Sequence, residues 1–209
     1  MALVAGLLTG CGAAGDSEQS SGTSADGAGQ RADKGDAGER VASGGTIGAE
    51  GSPCELPVTF DIAAQWTAES VSGPGKDAPE DLADMMWRQG PVTAACEVDA
   101  KPAGHIGFLR VWTGEPGAAD ARTVLEGFVG ADTGAGEEKY RRFEAGGLVG
   151  AEVEYRYTSE LTEDTKTEHA LAVVTPAGPV VLHLGGLDTA EHEAMLPAYE
   201  LAKRTLRAS

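Results

Sequence analysis

His169-Ala-Leu-Ala-Val-Val-Thr175, Pro176-Ala-Gly-Pro179, Val180-Val-Leu-His-Leu184 and Asp188-Thr-Ala-Glu191 follow one another near the C-terminus and lay out strand, turn, strand and helix. The first and third segments are short runs of β-branched and aliphatic residues. The Pro-Ala-Gly-Pro between them is a tight turn, so the pair reads as a β-hairpin. Asp188 and Glu191 have the spacing of a capping box, with Asp188 as the cap and Glu191 reaching back, and they open a helix. Met195, Tyr199, Ala202 and Leu206 share one face of it. Pro197 either sits at the first turn of a helical segment or kinks a longer one. An antiparallel pair that runs straight into an amphipathic helix is a unit of an α+β fold.

Reading back toward the N-terminus extends this pattern. Val153, Tyr155 and Tyr157 alternate with Glu152, Glu154 and Arg156, a half-exposed strand that the polar tip at 161–166 turns into the hairpin. Residues 140–149 read as strand and turn. Ala121, Val124, Leu125 and Phe128 stand at helical spacing within 118–131. Residues 105–113 form a strand that is largely apolar on both faces, which places it centrally. Ile106, Phe108, Arg110 and Trp112 face one way, and His105, Leu109 and Val111 the other. Residues 92–98 read as a strand holding Cys96. Residues 79–88 read as a short acid-opened helix stopped by Gly90-Pro91. Residues 58–62 form a first strand, Trp66 lies in the turn after it, and 67–71 pair back on that strand. The expected fold class is α+β: a mainly antiparallel sheet flanked by helices after a disordered N-terminal tether.

Composition divides the chain. Residues 12–52 hold eleven glycines, no aromatic residue, and only Val41 and Ile47 as larger aliphatics. Such a segment buries too little apolar surface to offset its ordering entropy. As a flexible coil of some 40 residues it spans about 35 Å; the alternative is a loosely ordered arm packed on the domain. Residues 53–209 contain all three Trp, four Tyr and four Phe, enough for a single domain. The net charge is −17, of which the seven acids and three bases of residues 12–52 contribute −4, leaving −13 on the domain. Without a basic stripe, nucleic acid and anionic headgroups are poor partners.

The N-terminus supplies an address. Leu8-Thr9-Gly10-Cys11 ends a short apolar run and resembles a bacterial lipobox. On that reading residues 1–10 are a signal peptide, Cys11 is lipidated, and residues 11–52 link the lipid to the domain. A diacylglyceryl group brings two acyl chains, which hold firmly where one chain alone is marginal. The expected localisation is the cell membrane, lipid-anchored, on the extracytoplasmic face. No Lys or Arg precedes Cys11, so the signal peptide is expected to be incomplete at residue 1. Cys54 and Cys96 are expected to pair outside the membrane, closing a loop worth roughly 4 kcal/mol in the chain-entropy model. Buried free thiols or a redox pair are the alternatives.

The entry strand with its turn tryptophan (Phe60 and Trp66), the long polar hairpin, and the helix that closes after Val180-Val-Leu-His-Leu resemble the PsbP-like α/β/α sandwich shared by actinobacterial lipoproteins of the LpqN type. Cys54-Glu-Leu-Pro-Val-Thr-Phe-Asp-Ile62 and Leu184-Gly-Gly-Leu-Asp-Thr-Ala-Glu-His-Glu-Ala-Met-Leu-Pro-Ala-Tyr199 are similar to streptomycete lipoproteins of unassigned function. The resemblance implies accessory, assembly or ligand-binding work more than catalysis, and it carries no binding residue onto a specific position.

The residues themselves offer few sites. His183, His192, Asp188 and Glu191 are the nearest thing to a metal cluster, but their spacing fits no metal motif; the plainer reading puts His183 on a sheet face and His192 on the helix surface. The serines outside the linker (Ser70, Ser72, Ser159, Ser209) lie in no Gly-x-Ser-x-Gly. Glu152/Glu154 and Glu137/Glu138 read as solvated faces rather than a glycosidase pair. Trp66, Trp87 and Trp112 read as core unless two of them share an exposed face. Arg110, between Phe108 and Trp112, wants a carboxylate partner or holds an anionic ligand. No catalytic residue, metal or cofactor is called for. The function expected is a non-catalytic binding or accessory module for a protein or envelope partner. A small-molecule or metal carrier with Arg110, Trp112 and Trp66 around its ligand is the alternative, and a hydrolase comes third.

Overall fold

A computed structural model describes residues 40–71 and 87–209. Cys11 and most of the helix expected at 79–88 lie outside these residues. The described strands are β1 (Ser43–Ile47), β2 (Val58–Ala63), β3 (Thr67–Ser70), β4 (Arg88–Gln89), β5 (Val92–Asp99), β6 (Gly107–Thr113), β7 (Ala135–Ala145), β8 (Leu148–Thr158), β9 (Thr165–Thr175), β10 (Gly178–Gly186) and β11 (Arg207–Ala208). The described helices are α1 (Ala121–Gly130) and α2 (Thr189–Thr205).

The large sheet runs β3-β5-β6-β10-β9-β8-β7, with β4 pairing β5, and every pairing is antiparallel. The Pro176–Pro179 turn makes the expected hairpin, with Thr175 opposite Gly178, and β6 is central, between β5 and β10. A helix covers each face. Val124, Leu125 and Phe128 of α1 pack on Trp112, Val153, Ala172 and Val181. Met195, Tyr199 and Ala202 of α2 pack on Leu109, Leu171, Leu182 and Leu184. This is the α+β architecture that the hairpins and the two amphipathic repeats predict.

Three local expectations are corrected. First, the folded unit begins before residue 53: β1 pairs antiparallel with β2 and, with β11, forms a separate three-stranded sheet. A strand edge recruits backbone, so poor side chains do not prevent pairing, and the buried Ile47 supplies the one apolar anchor. Gly48 takes φ 103° where a Cβ would collide with the Val58 carbonyl, so glycine is needed there. Second, β3 does not return to β2. Gln65 adopts a left-handed φ of 69°, and the redirected chain joins the edge of β5, with Thr67 opposite Asp99 and Ser70 opposite Cys96. Third, Glu152 is buried rather than solvated, its carboxylate 3.0 Å from Lys203 Nζ. Of the two placements expected for Pro197, it takes the one within a longer helix: α2 runs on past it for two more turns.

Cys54 and Cys96 are joined, Cα to Cα 5.9 Å, and this bond fastens the segment between β1 and β2 to β5. At the other end of the chain Ser209 reaches back to the same region: its N–H donates to Pro57 O and its hydroxyl to Leu56 O.

Candidate functional site

Sheet register builds the candidate site. On the α1 side of the large sheet, β6 presents Phe108, Arg110 and Trp112, β10 presents Val181 and His183, β9 presents Glu168, Ala170 and Ala172, and β8 presents Val153 and Tyr155. Arg110 pairs opposite His183, and Tyr155 opposite Glu168. Helix α1 covers the apolar rows as far as Phe128, whose ring meets His183 edge-on at 5.5 Å. Beyond the end of α1 the face is uncovered. There a cavity of about 370 Å³ opens, lined by Phe108, Arg110, Lys166, Glu168, His183 and Gly185 among others.

Glu168 is the floor, only 5% exposed. Its Oε1 accepts a charged hydrogen bond from Lys166 Nζ at 2.8 Å. Its Oε2 accepts from Tyr155 OH at 2.9 Å and sits 2.8 Å from His183 Nε2. Burial pushes the Glu168 carboxyl up, but His183 and Lys166 outweigh it and bring the pKa down to about 2, so the group is ionised. An ionised carboxylate only accepts, so the hydrogen on the shared contact belongs to His183 Nε2. That fixes the ring: Nδ1 has no partner among the described residues. The Tyr155 phenol is held well above its ordinary value, first by burial and then by the Glu168 charge, and stays protonated. Burial also raises Asp132, just past α1 and within electrostatic reach of Glu168 and His183.

Lys166 also donates to Gly186 O at 2.8 Å, which holds its ammonium between the cavity and the end of β10. Arg110 is half-exposed and gives its Nε to Glu97 at 2.6 Å. Its terminal nitrogens have no partner among the described residues. Ile106 and Leu187, 56% and 63% exposed, form an apolar lip, tied together by Leu187 N–H donating to Ile106 O. Gly185 keeps the floor open: a Cβ there would meet only His183 Cε1 at 3.6 Å and Glu168 Oε1 at 4.0 Å.

Of the residues singled out by sequence, Arg110 borders this cavity and has its carboxylate partner. Trp112 lies beneath α1, edge-on to Phe128 at 5.5 Å. Trp66 is buried in the core on the opposite side of the sheet. The three therefore do not surround one ligand. Nor do His183 and His192 meet, because His192 is fully buried under the other face. It pairs there with His169, Nε2 to Nδ1 at 2.7 Å with the rings stacked. Asp188 caps α2 by accepting from Glu191 N–H, but the Glu191 carboxylate accepts from Ile106 N–H across the molecule rather than reaching back. No group of three or more metal-ligating side chains is present among the described residues.

A larger cavity, about 670 Å³, lies between the start of α1 and β7–β8. Its charged residues are all exposed, and its most ordered cation, Arg122, is already stacked over Tyr140 at 3.7 Å and paired with Glu126. The smaller cavity alone is built on a buried charge.

An antiparallel sheet with a helix on each face defines an α+β domain. Across residues 23–206 the chain matches the model of a family described as an uncharacterised lipoprotein, and it belongs to that family. Among solved structures it is similar to the solution structure of cyanobacterial PsbP (CyanoP) from Synechocystis sp. PCC 6803, at 12% identity and a TM-score of 0.47, over 79% of this chain and 98% of that one. No curated protein sequence matches it. No helix among the described residues is long and apolar enough to cross a membrane.

Proposed function

We propose that this chain is a non-catalytic binding module of the cell envelope, held at the extracytoplasmic face by acylated Cys11, which takes its partner or ligand at the cavity between β6, β9 and β10. Kinship with actinobacterial lipoproteins of the LpqN type is part of the proposal. Membership of a lipoprotein family supports the anchor.

One observation carries the binding site: Glu168 is kept ionised under an open cavity by Lys166, His183 and Tyr155. A buried ion pair is weak as a stabilising device, since apolar packing of the same volume does as well or better. A charge retained there, beside an apolar lip and an open glycine floor, is better accounted for by recognition. The non-catalytic reading draws on what His183 is committed to: its Nε2 faces the Glu168 carboxylate at 2.8 Å. The hydroxyl beside His183 is that of Tyr155, buried and donating to Glu168.

Two tests apply. Cys11→Ser, in a gene with its full signal, should release the protein from the membrane; retention would remove the anchor. For the site, a photo-crosslinking residue at Leu187 on whole cells should give an adduct that Gly185→Leu abolishes, while the same probe at exposed Val149 gives none. Equal labelling from both positions, or labelling indifferent to Gly185→Leu, would remove the site.

A further inference from the structure

We infer that the cavity between β6, β9 and β10 recognises a small organic carboxylate, with Arg110 and Lys166 holding the anion and Phe108, Ile106 and Leu187 taking its apolar body. This rests on the reading of that cavity as the binding site.

The cavity has donors to spare and few acceptors. Both Glu168 oxygens are occupied, by Lys166 on one side and by Tyr155 and His183 on the other. The floor therefore offers an incoming group little further acceptor capacity. The donors are not used up. Lys166 Nζ has three N–H groups and spends two, on Glu168 and Gly186 O. Arg110 spends its Nε on Glu97, and its terminal nitrogens are free among the described residues. Of the charged side chains lining the cavity, two are cationic and one is anionic, and that anion is internally neutralised. With Glu97 paired to Arg110 the two cations and two anions balance, so on a chain of net charge −17 the cavity is a locally uncharged spot whose spare polar capacity is all donor. A guanidinium and an ammonium with spare donors suit an anion, and the planar guanidinium suits a carboxylate in particular.

Size and lip narrow the class. About 370 Å³ is near the lower end of small-molecule sites, roughly 300–1,000 Å³. Phe108 packs beneath Arg110, whose guanidinium carbon lies 5.4 Å from the ring centroid, so the apolar surface adjoins the cation. Ile106 and Leu187 stand exposed at the mouth. An aliphatic or aryl carboxylate puts its charge and its apolar body where the cavity has their complements. A free amine would meet Arg110 and Lys166 as like charges.

The experiment is an NMR titration of the full chain carrying Cys11→Ser, with its disulfide formed, followed on the His183 ring and the backbone amides of β6 and β10. The probes are benzoate and hexanoate, their neutral counterparts benzamide and hexanamide, and benzylamine. Both carboxylates are expected to shift His183 and Gly185 saturably, at least tenfold more tightly than either amide, with no saturable shift from benzylamine. Arg110→Gln should weaken benzoate at least tenfold, and Gly185→Leu should abolish its shifts. Lys166→Gln is the second blocking variant should Gly185→Leu not fold, and it should likewise weaken benzoate at least tenfold. If the amides or the amine bind as well as the carboxylates and the blocking variant removes them, the carboxylate inference falls and the binding site stands. If no probe moves His183, or benzoate shifts survive the blocking variant, both fall.

Discussion

Acidification should loosen the α2 face of the sheet through His192. This imidazole is fully buried, hydrogen-bonded only to the ring of His169, and its Nδ1 has no partner among the described residues. Burial, followed by the neighbouring His169, lowers its pKa from 6.5 to about 4. The unfolded chain takes up the proton near pH 6.5, while the folded chain resists it until about pH 4, so the unfolded state binds more protons in between. Stability is therefore flat above pH 7 and falls as the pH drops through that window. At about 1.4 kcal/mol per tenfold in the proton equilibrium, the loss at pH 4 is roughly 3 kcal/mol, a large share of the 5–15 kcal/mol typical of a domain. His169 is lowered too, chiefly by burial and against the pull of Glu154 and Glu152, and adds to the loss in the same direction. Glu168 acts mainly below this window, between its ordinary value of 4.5 and about 2. The assay is urea unfolding of the disulfide-intact protein at half-unit steps from pH 7.5 to 4, followed by tryptophan fluorescence, for wild type and His192→Leu. The variant has its own stability at pH 7.5, so only the slopes are compared. Wild type should lose about 3 kcal/mol more than the variant across the window. Parallel curves would refute the assignment of this proton to His192.

Three further outcomes follow from the packing. Glu168→Ala leaves Lys166 and His183 facing an empty floor and should destabilise by about 3–5 kcal/mol, the usual result of breaking a buried pair from one side; chemical denaturation at pH 7 reads it, and a change below 1 kcal/mol would contradict the buried-charge geometry. The double variant Cys54→Ser, Cys96→Ser opens a loop of sequence separation 42 and should lower stability by roughly 4 kcal/mol, visible as a lower melting temperature that reductant no longer shifts. Asp188→Ala removes the α2 cap and should lose about 1 kcal/mol. Glu191→Gln, which keeps an acceptor for Ile106 N–H, should lose less; the reverse order would mean that the carboxylate at 191 outweighs the cap.

Elements whose side chains repeat in phase with their backbone were legible in the sequence. The turn at 176–179, the α1 stripe and the Asp188 cap each need only local chemistry, and each is present. The β1 strand was illegible because its pairing is made by backbone, while composition reports side chains. His192, expected on the helix surface, stands three residues before Met195 and seven before Tyr199, on the stripe that α2 buries. The Glu168–His183 cluster had a weaker signal. Alternation puts Glu168 on the same face as Ala170 and Ala172, and a lone acid on an apolar face asks for partners. Which partners depends on the β8–β9–β10 register, and that comes from pairing across strands rather than from any one of them. Trp66 and Trp112 looked alike as aromatic residues, and only topology assigns them to opposite faces.

The covalent bond between the small sheet and β5 also sets the path that force takes through the molecule. Load entering at residue 40 first meets β1, an edge strand bound only to β2, which peels one hydrogen bond at a time. Once β1 has come away, the pull reaches Cys54 and passes through sulfur to Cys96, bypassing the residues between them, β2 and β3 included. From Cys96 it spreads across β5 into β6, where seven residues share it along a central strand before it arrives at Arg110. The edge strand yields and the bridge arrests, so a domain tugged from its N-terminal side would lengthen by a short, fixed amount while the interior strands that carry the cavity stay paired.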